Sequence, residues 1–201
     1  MSIEFMPKQT IRQEMKVLCS QHAGELAEKS ALICKKIISS GEYEGAQEIF
    51  AYMALPDEVD LTEIIKASLR DGKKVAVPKI MDFDKGVMQF FYLDGAQQLN
   101  AQTESGTFGI NEPDENLLTP VNLDELKNKK TLILVPGRAF TTSGNRLGRG
   151  KGFYDRFLGS ELCRGEQVVM AGVCFDFQIK KSLPIDDRDI KMDLVYTTSQ
   201  E

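Results

Sequence analysis

The sequence predicts an α/β fold: one three-layer domain over residues 1–201, with a mostly parallel central sheet flanked by helices. Three observations carry this. Strand-like and helix-like stretches alternate along the chain, the arrangement that builds parallel sheets. Thr131–Val135, TLILV, is apolar throughout, as a strand covered on both faces must be. The length of 201 residues suits one domain with a sizeable core.

The elements follow in order. Lys8–Cys19 carries Ile11, Met15 and Leu18 at helical spacing. Glu25–Ser39 repeats that period through Leu26, Ile33 and Ile37, and Gly41 offers a stop. Glu48–Ala54, EIFAYMA, reads as a short apolar strand. Asp60 is placed to cap a helix running to Arg70, with Glu63 in the reciprocal capping-box position and Gly72 at the end. Lys74–Ile80 and Val87–Leu93 are the next strands. Residues 94–130 are rich in turn formers and are expected to wrap the edge of the site. After TLILV comes a glycine-rich basic loop and a helix through Phe157, then strands at Val168–Phe175 and Leu194–Thr197.

A net charge of −5 argues against general affinity for nucleic acid. The amino-terminal MSIEFMPKQTI lacks a basic stretch followed by an apolar run, so no signal peptide is expected, and no window is long and apolar enough to cross a bilayer. Cys19, Cys34, Cys163 and Cys174 are scattered without a CxxC pair, which fits buried thiols of a reduced, cytoplasmic protein. His22 is the chain's one histidine, in the polar stretch SQHAGE, and reads as exposed or capping. Chemistry must therefore run on carboxylates, cations and backbone amides.

The segment Gly144–Asp155, GNRLGRGKGFYD, concentrates what the rest of the chain lacks. Arg138, Arg146, Arg149, Lys151 and Arg156 stand against one acid, Asp155, a local balance of five minus one, or +4. Gly148, Gly150 and Gly152 leave backbone donors uncovered for anionic oxygens, which the cations can neutralise. The segment follows an apolar strand, where ligands of α/β sheets bind. It is neither a Walker A loop, since Asn145 stands at the first glycine position, nor a GxGxxG fingerprint, since Phe153 stands at the last. A solvated surface turn remains the plain alternative.

The run PGRAFTTSGNRLGRGKGFYDRFL resembles the signature of the 5-formyltetrahydrofolate cyclo-ligase (5,10-methenyltetrahydrofolate synthetase) family. The resemblance extends over nearly the whole chain: KQTIR (Lys8–Arg12), YMALPDEVDLTEII with Glu58 in its acidic position, GTFGINEP (Gly106–Pro113) and LPIDDRDIKMD (Leu183–Asp193). It implies ATP- and Mg2+-dependent conversion of 5-formyltetrahydrofolate to 5,10-methenyltetrahydrofolate, by phosphorylation of the formyl oxygen and attack by N10. The implied protein is a cytoplasmic monomer with small-molecule substrates and no nucleic-acid or membrane partner.

Carried over by position, the resemblance implies that Lys8 and Arg12 contact ATP phosphates. Arg146, Leu147, Gly148, Arg149, Gly150, Lys151, Gly152, Phe153 and Tyr154 would wrap the nucleotide, with Arg149 and Lys151 as the catalytic cations. Met53, Glu58, Phe108 and Tyr154 match folate-contacting positions, and Asp155 and Asp189 those that hold magnesium. Without the resemblance, Lys8 and Arg12 are a one-turn pair on a solvated face, Met53 is core, and Asp189 is indistinct from Asp186, Asp187 and Asp193. The chain departs from the family pattern at Phe153 (commonly tyrosine), Thr141 (commonly aspartate), Arg138 (usually small or apolar) and Arg188 (frequently histidine). Two other readings stay open: a nucleic-acid-binding module using the loop, and another ATP-dependent transferase on a related scaffold.

Overall fold

The computed structural model describes residues 6–124, 129–159 and 167–198. A seven-stranded sheet runs through it in the order β11-β10-β7-β1-β2-β3-β6. Its strands are β1 (Glu48–Phe50), β2 (Lys74–Asp82), β3 (Val87–Tyr92), β6 (Thr119–Pro120), β7 (Thr131–Pro136), β10 (Val168–Val173) and β11 (Leu194–Tyr196). The five strands from β11 to β2 pair in parallel; β3 and β6 extend the sheet antiparallel. The predicted mostly parallel sheet is therefore present, with an antiparallel edge at β3 and β6. Two small hairpins stand outside it: β4 (Thr103–Ser105) with β5 (Asn111–Pro113), and β8 (Ala139–Phe140) with β9 (Arg146–Leu147).

Alternation in the strands divides the core into two layers. Ile49, Val75, Val77, Leu132, Leu134, Ala171 and Val173 face helices α2 (Leu26–Ile38) and α4 (Thr62–Arg70), which supply Ile33, Ile37, Ile64 and Ile65. Phe50, Ala76, Ile133 and Val135 face the other way, toward Phe140 and Leu158 of the short helix α5 (Phe153–Leu158). β7 thus buries both faces, as its unbroken apolar run requires. Helix α1 (Lys8–Gln21) uses Ile11 and Met15 against Ala139, Leu147 and Leu183 in a third cluster. A single turn of helix, α3 (Gly41–Gly45), precedes β1.

Two expectations are corrected. The strand predicted over 48–54 pairs only as Glu48–Phe50; Ala51 still donates its N–H to Ala76 O at 2.9 Å, and the chain then leaves the sheet. The capping box at α4 does not form. Asp60 Oδ1 accepts from Thr62 N at 2.9 Å, but the Asp60 N–H is already given to Ser30 Oγ at 3.1 Å. With no donor left for it there, Glu63 pairs with Lys66 instead, at 3.1 Å. The basic loop also proves more ordered at its start than the sequence suggests, since β8 and β9 form a hairpin before it.

Cys19, Cys34 and Cys174 are buried and unbridged, and Cys163 lies outside the described residues. Burial pushes the Cys34 thiol up to about 12, so almost no thiolate exists at neutral pH. Iodoacetamide should accordingly leave these three unmodified in the native protein and label all three in urea; labelling of Cys34 before unfolding, read by peptide mass spectrometry, would contradict this placement. His22 ends α1, lies 3.3 Å from Glu25 through Nδ1 and stacks on Phe177 at 4.8 Å, in keeping with a capping residue.

No helix among the described residues is long and apolar enough to cross a membrane.

Candidate active site

β1 is central, with β2 on one side and β7 on the other, so the chain changes direction across the sheet between β1 and β7. At such a point the loops leaving neighbouring strands diverge and open a crevice beyond their carboxyl ends. The segments that leave these two strands carry the predicted site. After β1 come Met53 and Glu58; after β7 come Gly137, the β8–β9 hairpin and the glycine loop.

The loop is anchored at its start and open further on. Leu147 is 2% exposed and packs on α1, while the Arg12 guanidinium donates Nε–H to Gly148 O at 2.9 Å. Arg156 Nη1 donates to Lys151 O at 2.7 Å from the other side. Gly150 and Gly152 have φ of 109° and 74°, the left-handed region that residues with a Cβ avoid, and Gly152 opens directly into α5. This places the amides of 148–152 at the surface between two cavities.

The first cavity has apolar walls: Tyr52, Met53, Leu55, Pro78, Ile80, Met88 and Ile110 line it, and its void of about 900 Å³ is partly open to solvent. Glu58, Glu112, Arg146, Arg149, Lys151 and Tyr154 are its polar members. The second is a polar cleft, about 1360 Å³ with its open part, lined by Lys8, Arg12, Asp155, Arg156 and Asp186–Ile190. Gly148, Gly150, Lys151, Gly152 and Asp155 line both, so the loop is the wall between them.

Individual side chains then take definite partners. Glu58, 9% exposed in its side chain, accepts from Leu55 N at 3.1 Å and from Arg149 Nε at 2.9 Å. The second edge contact of Arg149 is to Asp57. Burial works against the Arg149 charge, but Glu58 and Asp57 outweigh it and push the guanidinium further up. Lys151 Nζ lies 4.1 Å above the ring of Phe83, a cation–π contact from the β2–β3 turn, and Phe153 packs near the same ring at 6.1 Å. Tyr154 holds its hydroxyl buried with no hydrogen-bond partner among the described residues, and burial pushes that phenol well up.

Both carboxylates matched to magnesium face the polar cleft, and each already holds a cation. Asp155 Oδ1 accepts from Arg146 Nη2 at 2.7 Å; Arg146 is 4% exposed in its side chain and gives Nη1 to Pro136 O at 3.0 Å. Asp189 Oδ2 accepts from Lys8 Nζ at 2.6 Å, and Asp186 shares that lysine at 3.0 Å. Burial lowers the Lys8 ammonium, but hydrogen bonds to Asp189 and Asp186 more than compensate and raise it. Among the described residues no group of three or more His, Cys, Asp or Glu side chains could hold a metal unaided. Two carboxylates facing one polar cleft instead fit a hard cation whose shell is completed by phosphate oxygens.

The structure thus brings together Lys8, Arg12, Met53, Glu58, Arg146–Asp155 and Asp189 along the two cavities. The Phe108 side chain lies outside the described residues, although its neighbours Ile110 and Glu112 line the apolar cavity. Sequence reading missed Pro78, Ile80 and Met88, which show only as ordinary strand residues, and Glu112, 5% exposed, whose burial pushes its carboxyl up. The departures settle variously. Arg138 pairs with Asp57, Thr141 Oγ1 accepts from Asn145 N at 3.0 Å to close the β8–β9 turn, and Arg188 is largely exposed.

Residues 5–198 match the model of the 5-formyltetrahydrofolate cyclo-ligase family. The chain belongs to that family. It is 31% identical to the mouse 5-formyltetrahydrofolate cyclo-ligase, covering 94% of this chain and 92% of the relative. It is 26% identical to the enzyme of the same name from Escherichia coli strain K12, covering 94% and 97%. The NMR structure of 5,10-methenyltetrahydrofolate synthetase from Aquifex aeolicus superposes with a TM-score of 0.74 at 28% identity, over 97% of this chain and 91% of the other. The protein is accordingly a cyclo-ligase of one-carbon folate metabolism, and the fold and family expected from its sequence both hold.

Proposed function

We propose that this cyclo-ligase closes 5-formyltetrahydrofolate to 5,10-methenyltetrahydrofolate at the expense of ATP, with magnesium, releasing ADP and phosphate. The observation that carries this is the double-faced loop: one wall separates an apolar cavity suited to a flat ring from a polar cleft whose cations and carboxylates suit a polyphosphate with its metal. A phosphoryl group crossing from the cleft to the cavity passes the backbone amides of 148–152 and the Lys151 and Arg149 cations.

A formamide carbon is a poor electrophile because nitrogen donates into the carbonyl and hydroxide leaves badly. Phosphorylation of the formyl oxygen breaks the bond to the ADP oxygen and makes phosphate the leaving group. N10 of the same folate then attacks the activated carbon, loses its proton, and the carbon–oxygen bond breaks with release of phosphate. Attack within one molecule makes positioning the main source of acceleration. Met53, Glu58 and Tyr154 hold the folate in the apolar cavity. Lys8 and Arg12 neutralise phosphate charge in the cleft, and Arg149 and Lys151 stabilise the group in flight. Asp155 and Asp189 would hold magnesium, which supplies charge neutralisation on the phosphate oxygens.

The test is direct. With 5-formyltetrahydrofolate, ATP and magnesium at mildly acidic pH, the near-ultraviolet absorbance of the methenyl product should rise and require all three. Absence of a nucleotide-dependent rise would refute the proposal. Salt-sensitive retention of an oligonucleotide would favour the nucleic-acid reading, and ATP hydrolysis driven by another acceptor a different transferase.

A further inference from the structure

Arg149 sits on a loop flanked by glycines, where an unrestrained arginine samples many rotamers. The structure restrains it through a chain of four charges. The Asp57 carboxylate lies between two guanidiniums: Oδ2 accepts from Arg138 Nη1, and Oδ1 from Arg149 Nη2. Arg149 Nε then reaches Glu58 Oε1 at 2.9 Å. Arg138 is held in turn from the β7–β8 turn, its N–H on Leu147 O at 2.7 Å and its carbonyl under Gln178 Nε2 at 3.0 Å. Its side chain is 13% exposed against 33% for Arg149, so the chain runs from a fixed inner end to an accessible outer one.

The geometry of the outer end is informative. A guanidinium offers a side edge, Nε with Nη2, and an end edge, Nη1 with Nη2. Asp57 and Glu58 take the side edge of Arg149, which leaves the end edge to a ligand in the cavity. Burial works to raise the Asp57 carboxyl, but Arg149 and Arg138 together hold it below its ordinary range. A group whose folded value is depressed contributes its stability above the unfolded value of about 3.8 and loses it only as pH falls through the lower one. The clamp therefore stays charged at neutral pH.

We propose that Asp57 is a positioning residue: anchored by Arg138, it grips the side edge of the Arg149 guanidinium so that the end edge meets the phosphoryl group in transfer. The proposal rests on the ATP-dependent ring closure above and adds the residues that aim its cation. Arg138, a departure from the family pattern, becomes the inner support of that clamp rather than an incidental surface charge.

The experiment is a double-mutant cycle read in kcat. In the wild-type background Asp57→Asn should lower kcat about tenfold, with KM for 5-formyltetrahydrofolate within about twofold, because a misaimed group costs the transition state more than the ground state. In an Arg149→Lys background, where there is no fork to aim, the same substitution should cost less than about twofold. Arg138→Met should give a smaller loss that also vanishes beside Arg149→Lys, and it carries the test if Asp57→Asn fails to fold by circular dichroism. Equal losses in both backgrounds would assign Asp57 a merely structural role and overturn the proposal, as would unchanged kcat in the single variants. Wild-type protein without turnover would overturn ring closure and the proposal together, whereas active wild type with additive losses removes the proposal alone.

Discussion

Lys151→Ala is expected to lower turnover by two to three orders of magnitude while the circular dichroism melt stays where it is. The lysine lines both cavities, and its ammonium rests on the Phe83 ring without a carboxylate partner in the described contacts. Removing it therefore strands no buried charge and deletes little packing. Loss of one preorganised charge-stabilising donor costs about 2.7–4 kcal/mol of barrier, which sets the expected factor. The loss should fall on kcat more than on KM for folate, since the lysine lies in the wall shared by both cavities rather than among the apolar residues that would hold the ring. Near-normal turnover in this variant would mean that the loop is not the phosphoryl clamp.

Asp155→Ala should do something different, melting the protein as well as disabling it. Its partner Arg146 is almost fully enclosed, and Arg146 Nε already lacks a hydrogen-bond partner among the described residues. Breaking a buried pair from one side leaves an uncompensated charge and costs about 3–5 kcal/mol, or a fall in Tm of about 10 °C for a chain of this length. Asp189→Ala should lower Tm far less, because Lys8 is partly exposed and keeps Asp186 at 3.0 Å. Both variants should lose magnesium-dependent ATP binding in calorimetry. Replacing Arg146 by Met beside Asp155→Ala should recover most of the Tm and none of the turnover. A wild-type melt for Asp155→Ala alone would contradict the buried pair, and unchanged magnesium-dependent binding would remove Asp155 from the metal site.

These contrasts show what the sequence could and could not disclose. Period and punctuation were enough for α1, α2, α4 and α5, for the doubly buried β7 and for the place of the basic loop after it, because those signals are local; Gly41, read as a stop, instead opens α3. They were also enough to put the glycine loop beyond the carboxyl end of β7, where it lines both cavities. Partnership across the chain was not legible. Arg138 and Asp57 are 81 positions apart, and nothing in either neighbourhood points to the other. Arg146 reads as one more exposed cation in a basic loop, yet the hairpin before the loop turns it inward onto Asp155. The apolar wall from Pro78, Ile80 and Met88 was hidden for a related reason: alternation says which face a residue takes, not which cavity that face borders.

Lys8 meets Asp189 across 181 positions of sequence. On the proposed reading, a phosphate-binding cation is thus synthesised 181 positions ahead of the carboxylate that seats it. A growing polypeptide holds α1, α2 and the early strands before Asp189 exists to pair with Lys8. On the same reading, a chain that has not yet reached Asp189 can form the apolar cavity but cannot complete the polar cleft, and so is not expected to turn over ATP.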